Sequence, residues 1–112
     1  CCASVSARVI EEQIRGCIGF DGLLMSDDLD MKALSGDLPS RAVAVLEAGC
    51  DIALNCWGRF DDMTAIAEAV PTITGVAHQR LLRARSTLHI ARDSAALAAR
   101  MAALIARRDA LY

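Results

Sequence analysis

Apolar positions along this chain follow helical spacing in some stretches and form short unbroken runs in others. Between Ser6 and Gly16, Val9, Ile10, Ile14 and Cys17 recur on one helical face, Ser6 can cap, and Glu11 and Glu12 lie near the start. A helix stopped by Gly16 is expected there. Leu23-Leu24-Met25 is then apolar at successive positions before a polar cluster from Ser26 to Asp30, which predicts a strand from Leu23 to Ser26 buried on both faces. Pro39 suits the first turn of a second helix, whose apolar face is Ala42, Val43, Val45 and Leu46 and whose end is Gly49. Ile52-Ala53-Leu54 is a second short run closing at Asn55, and helices are expected around 61–69, 75–90 and 93–109.

The order helix, strand, helix, strand, helices, with short connections, predicts an α/β fold with parallel strands joined by right-handed β-α units. Two strands apolar on both faces cannot complete such a sheet, and a barrel of parallel strands takes about 250 residues. The last third of the chain is rich in Ala, Leu and Arg, strong helix formers suited to a barrel exterior or end. With 112 residues there is room for one domain, and no internal repeat, low-complexity tract or linker divides it.

A formal net charge of -2 without a block of like charges favours neither nucleic acid nor an anionic membrane as partner. No apolar run reaches the roughly 18 to 20 residues that span a bilayer. The five cysteines, Cys1, Cys2, Cys17, Cys50 and Cys56, have neither zinc-site nor disulfide-framework spacing. A reducing cytoplasm is the expected setting, with Cys17, Cys50 and Cys56 as small buried hydrophobes. The chain begins at Cys1 rather than a methionine, and further residues are expected before it.

Candidate chemistry concentrates where Asp27, Asp28 and Asp30 follow the first strand. Ligand and catalytic groups in parallel α/β folds gather at the C-terminal ends of strands. Two other readings stand beside that one: a solvated turn built by residues that favour turns, and a divalent-metal site made by clustered carboxylates. A metal-dependent phosphoryl-transfer site would further need a Gly-rich phosphate loop at a helix start, which this sequence lacks.

The stretch GFDGLLMSDDLDM, Gly19 to Met31, resembles the nucleophile motif of the β-N-acetylglucosaminidases of glycoside hydrolase family 3. In that family a Ser-Asp-Asp-Leu sequence closes the seventh strand of a (β/α)8 barrel. The likeness continues through KALSGDLPSRAVAVLEAGCDIAL, similar to the helix leading into the eighth strand, and through GRFDDM and AVPTITG, similar to the terminal helical region; it covers roughly residues 4 to 90. The resemblance implies that residues 1–112 are the C-terminal portion of such a barrel, with the last two strands in 1–58 and terminal helices in 59–112. It implies a retaining glycosidase in which Asp27 is the nucleophile and Asp28 orients the segment or touches substrate. A retaining glycosidase needs an ionised carboxylate at the anomeric centre, so the chemistry agrees with the residue type.

Further implications follow from the same likeness. The substrate would carry a terminal β-linked N-acetylglucosamine, as in the muropeptides of peptidoglycan recycling, and no metal or organic cofactor is implied. The acid/base, a histidine paired with an aspartate, and a Lys-His sequence that contacts the sugar would lie before Cys1. The chain alone is therefore expected to be inactive and poorly folded, requiring the missing N-terminal barrel segment. Two departures from the family pattern stand out. Asp30 replaces a common serine, and Asn55-Cys56-Trp57-Gly58 replaces a more usual His-Cys-Asn-Gly, which places Trp57 at the sugar-binding face.

Asp28, Met31 and Trp57 are thus the candidate substrate contacts. A lone Trp is also a common packing residue, and Met25 and Met31 suit core filling. His78 and His89 fall on helices after the last strand, as structural or solvent-facing residues. Arg80, Arg83, Arg85, Arg107 and Arg108 read as exposed helix faces. The competing functional class is a non-catalytic α-rich interaction or structural domain.

Overall fold

The structure, a computed structural model, describes residues 2–88 and 94–110, with only the backbone described at 94–97 and 108. A short 3-10 turn, Ala3–Val5, leads into a π-helix, Val9–Cys17. Ser6 caps it as expected, its Oγ accepting from the Val9 amide at 3.3 Å. Gly16 does not stop the helix. Backbone bonding continues to Ile18, whose N–H donates to the Gln13 carbonyl at 2.9 Å, and the chain reverses where Gly19 takes φ 71°. The left-handed position, not the first glycine, ends the element.

Strand β1 is Met25–Asp28 and β2 is Ile52–Leu54, paired in parallel with Met25 opposite Ile52 and Asp28 opposite Leu54. β2 lies where its apolar run predicts. β1 begins two residues later than expected and is not apolar on both faces: Met25 and Asp27 are exposed, Ser26 is buried and Asp28 half-buried. Pairing with β2 decides the boundary, because Ser26 and Leu29 bond to Leu54, whereas Leu24 gives its amide to the Asp51 carboxylate and its carbonyl to the Asp51 and Ile52 amides. Since side chains alternate across a strand, Leu24 and Ser26 face the packed side and Met25 and Asp27 the open one.

Helix α1, Leu38–Glu47, connects the strands. Pro39 stands in its first turn, and the Asp37 carboxylate accepts from the Ser40 amide at 2.9 Å; hydrogen bonding to the Ser40 side chain, then to its amide, draws the Asp37 pKa below its ordinary value. Gly49, at φ 109°, turns the chain into β2; an added Cβ would come within 3.1 Å of Ile10 Cγ2, so glycine is required there twice over. Helices α2, Phe60–Ala69, α3, Gly75–Ser86, and α4, Ser94–Asp109, follow. Their positions match the expected helices, except that α3 ends before residue 90; the remainder of that expectation lies outside the described residues.

The core forms where α1 packs on β2 and α2, around Ile10, Leu29, Ala42, Val45, Ala48 and Cys50. Leu29 and Val45 are wholly buried, each worth about 1.5–3 kcal/mol. Cys50 is buried as expected, and burial followed by the Asp51 charge raises its thiol pKa. Cys17 and Cys56 are exposed instead, because their backbone positions fall at a helix end and in the loop after β2. Met25 is likewise not core filler, being 53 % exposed on the open face of β1. An apolar groove of about 790 Å³ stays open between α1, β2, α2 and α3, lined by Val43, Leu46, Ile52, Ile66, Val70 and Val76. The radius of gyration is 18.4 Å, against roughly 13 Å for a compact domain of this length. Among the described residues no helix is long and apolar enough to cross a membrane.

Charge, more than apolar contact, fixes α3. Arg80 reaches the Asp51 carboxylate at 3.0 Å and Asp21 at 3.0 Å, and Arg83 meets Asp21 at 2.9 Å. Asp51 also accepts from Arg15 Nη2 at 2.8 Å and the Leu24 amide at 2.9 Å. Arg80 is therefore not an exposed helix face: its side chain keeps 17 % of its surface, and its hydrogen bond to Asp21 leads the effects that hold it protonated. Arg83 is over half exposed but paired; Arg85, Arg107 and His78 are exposed as expected, whereas His89 and the Arg108 side chain lie outside the described residues.

In the full-length protein containing this chain, Asp51→Ala should cost about 3–5 kcal/mol in urea unfolding, because it leaves two partly buried guanidinium groups without their shared carboxylate. Asp21 supplies a pH signature. The Arg80 hydrogen bond, then the Arg83 charge, hold its carboxyl below the ordinary range. Its contribution is complete above the unfolded value of about 3.9 and is lost as pH falls through the lower folded value. Asp21→Asn should therefore flatten the acid limb of stability below about pH 4, measured by thermal melts across pH.

Candidate active site

The C-terminal ends of β1 and β2 carry the acidic cluster, and a small set of hydrogen bonds sets its shape. Ser26 Oγ accepts from the Leu54 amide at 3.0 Å and donates to the Asp27 carbonyl at 2.7 Å, locking the two strands in register beneath the site. Leu29 closes the ladder, its amide donating to the Leu54 carbonyl at 2.9 Å. Asp27 therefore lies within β1, one residue before its end, rather than after it. The side chain stands on the open face, where Oδ1 accepts from the Asp28 amide at 2.8 Å. Oδ2 has no partner among the described residues, so the carboxylate is oriented through one oxygen and free at the other.

Asp28 works differently. Its Oδ1 accepts from the Cys56 amide at 3.2 Å and the Asp30 amide at 3.3 Å, tying the loop after β2 to the loop after β1. Cys56 is solvent-facing beside it; desolvation, then the negative charge of Asp28, pushes its thiol above the usual range and disfavours thiolate chemistry. Arg41 of α1 holds the other side of the loop, donating from Nη1 to the Leu29 carbonyl at 2.8 Å and the Met31 carbonyl at 3.5 Å. Met31 is thus fixed through its backbone, with a half-buried side chain.

Trp57 is 69 % exposed and does not pack into the core. The Asn55 side-chain carbonyl accepts from its amide at 3.4 Å, while Asn55 Nδ2 is buried without a partner among the described residues. Trp57 shares a cavity of about 190 Å³ with Asp30, Leu38, Arg59 and Asp62. Sequence reasoning missed the roles of Arg41 and Asn55, although an arginine on the helix between the two strands was the available signal for the first. Among the described residues no three acidic, cysteine or histidine side chains gather closely enough to hold a metal ion. Asp27 and Asp28 each place one carboxylate oxygen on backbone amides.

Comparison to known proteins shows the family in which this parallel β-α-β unit occurs. The model of the glycosyl hydrolase family 3 N-terminal domain matches residues 2–90. The chain belongs to this family. A beta-hexosaminidase of Tolumonas auensis is 41 % identical over 88 residues, covering 77 % of the chain and 24 % of the relative. One from Alkalilimnicola ehrlichii is 40 % identical over 83 residues, 72 % of the chain and 24 % of the relative, and one from Pseudomonas aeruginosa is 40 % identical over 85 residues, 74 % and 25 %. The family 3 chain thus spans about a quarter of the length of the curated relatives it matches.

The hydrogen bonds of Ser26 and Asp28 make separable contributions. Ser26→Ala leaves the Leu54 amide without its acceptor and should cost about 1–3 kcal/mol. Asp28→Ala should cost about 0.5–1.5 kcal/mol, because the two amides it releases are exposed to water, while Asp28→Asn keeps the Oδ1 acceptor and should recover most of the loss. Urea denaturation of the full-length protein containing this family 3 chain measures all three.

Proposed function

We propose that this chain supplies the last two β-α units of a (β/α)8 barrel in a retaining β-N-acetylglucosaminidase, with Asp27 as the nucleophile. The observation that carries the proposal is the Asp27 carboxylate itself: on the open face of a parallel strand, near its C-terminal end, pinned at Oδ1 and unpartnered at Oδ2. Membership of family 3 and the beta-hexosaminidase names of its relatives support the reaction class.

In this mechanism Oδ2 attacks the anomeric carbon as the bond to the leaving oxygen breaks, and a general acid protonates that oxygen. Water then displaces the carboxylate from the glycosyl-enzyme, giving up its proton to the same group acting as base. The Asp28 amide fixes the attacking carboxylate's orientation, and the Asp28 side chain holds the two site loops together. The likeness to family 3 implies an acid/base on an earlier part of the barrel, and His78 lies on α3, outside the β1–β2 site. The substrate we assign is a muropeptide or oligosaccharide ending in β-linked N-acetylglucosamine, processed in the cytoplasm during peptidoglycan recycling, with no cofactor taking part. Asp28, Met31 and Trp57 are the proposed substrate contacts.

In the full-length protein, Asp27→Ala should lower hydrolysis of an aryl β-N-acetylglucosaminide about 10⁴-fold or more, the scale of losing an acting catalytic group. Its stability should stay within about 0.5 kcal/mol, because the side chain is exposed. Near-normal turnover by the variant would sink the assignment. The 112-residue chain alone should show no hydrolysis and no cooperative melt by circular dichroism, with both restored when the preceding barrel segment is supplied fused or in trans. Activity of the isolated chain would place the acid/base within it.

A further inference from the structure

The two positions where the sequence departs from the family pattern, Asp30 and Trp57, come from different loops and line one cavity. That cavity, about 190 Å³, does not include Asp27; its loops follow the C-terminal ends of β1 and β2 and are joined through Asp28, the residue next to Asp27. Its volume is close to the roughly 150 Å³ of an engineered cavity that holds one benzene molecule, the scale of a single ring rather than a chain. The walls combine an exposed indole, the aliphatic Leu38 and three charged side chains. Arg59 and Asp62 neutralise each other, Nε to Oδ2 at 2.8 Å, whereas no described residue bonds or pairs with the Asp30 carboxylate.

Both key residues are positioned from below. Asp28 holds the amides of Asp30 and Cys56 on one carboxylate oxygen, so the loops bearing Asp30 and Trp57 are linked, and Asn55 restrains the Trp57 amide. A fully apolar ligand would leave the Asp30 carboxylate without a hydrogen-bond donor. A pyranose ring, by contrast, has a C–H face to lie on an indole and hydroxyls at its rim to donate to a carboxylate.

We propose that this cavity is the leaving-group subsite, where the sugar ring on the far side of the scissile bond packs on Trp57 and donates a hydroxyl to Asp30. The proposal rests on the glycosidase reading of Asp27. An enzyme that removes a terminal sugar holds that sugar at the nucleophile, so a second ring bound beside it belongs to the leaving group.

The test compares two substrates on one preparation of the full-length protein. N,N′-diacetylchitobiose presents a second pyranose ring; β-N-acetylglucosaminyl fluoride has a single-atom leaving group that cannot fill the cavity. The readout is the ratio of their kcat/KM values, from which any loss of folded enzyme cancels. Trp57→Ala should lower the ratio about tenfold, Trp57→Phe should recover most of it by keeping an aromatic face, and Asp30→Ser should lower it about three- to tenfold. A ratio within twofold of the unsubstituted protein in both Trp57→Ala and Asp30→Ser, with both substrates turned over, overturns the subsite and leaves the Asp27 assignment standing. If the unsubstituted protein hydrolyses neither substrate, the glycosidase reading falls and the subsite with it.

Discussion

One buried carboxylate organises this chain. Asp51, whose side chain keeps only 6 % of its surface, collects Arg15 from the N-terminal helix, Arg80 from α3 and the Leu24 amide ahead of β1. Arg15 in turn donates to the carbonyls of Phe20 and Gly22, shaping the loop that delivers the chain to β1. Burying an ion is costly unless partners and hydrogen bonds satisfy it, and here two guanidinium groups and a backbone amide do so. The starts of both strands and two helices therefore share one fixed point.

That fixed point lies at the opposite end of the strands from the candidate chemistry. β1 has four residues and β2 three, and their register shifts by one residue between the Met25–Ile52 and Asp28–Leu54 pairs, where Ser26 Oγ takes up the Leu54 amide beside the Asp27–Asp28 pair. The acidic residues thereby divide their work by position. Asp51 at the strand starts is buried and paired, whereas Asp27 at the strand end is open and half-free. Asp28 stands between these extremes, its charge used to join two loops. A nucleophile benefits from being held without being neutralised, and a hydrogen bond from the adjacent amide orients it without a neighbouring cation.

Local signals that depend on few residues were legible in the sequence. The Ile52-Ala53-Leu54 run, the Pro39 helix start, the Gly49 turn and the Ser6 cap all appear where their chemistry predicts. The misplacements arise where a distant partner decides. β1 follows its bonds to β2 rather than the Leu23-Leu24 run, and Gly16 stays helical because the reversal belongs to Gly19. Arg80 looked like a solvated helix residue because its partners are 29 and 59 positions away in sequence. Cys17, Cys56 and Met25 carry no local mark of exposure; only the neighbouring elements fix it. The acidic cluster itself was legible as a candidate site from its place after an apolar run, but the cavity joining Asp30 to Trp57 required the parallel pairing that brings their loops together.

In the proposed mechanism the Ser26–Asp28 strand end presents Asp27 for covalent attack. That attack is tested most directly by trapping the full-length protein with 5-fluoro-N-acetylglucosaminyl fluoride, which slows breakdown of a glycosyl-enzyme, and mapping the adduct by peptide mass spectrometry. The expected product is one sugar per protein molecule, esterified to the Asp27 carboxylate. An adduct on any other residue, or steady turnover of the reagent with no adduct at any time, would contradict the mechanism.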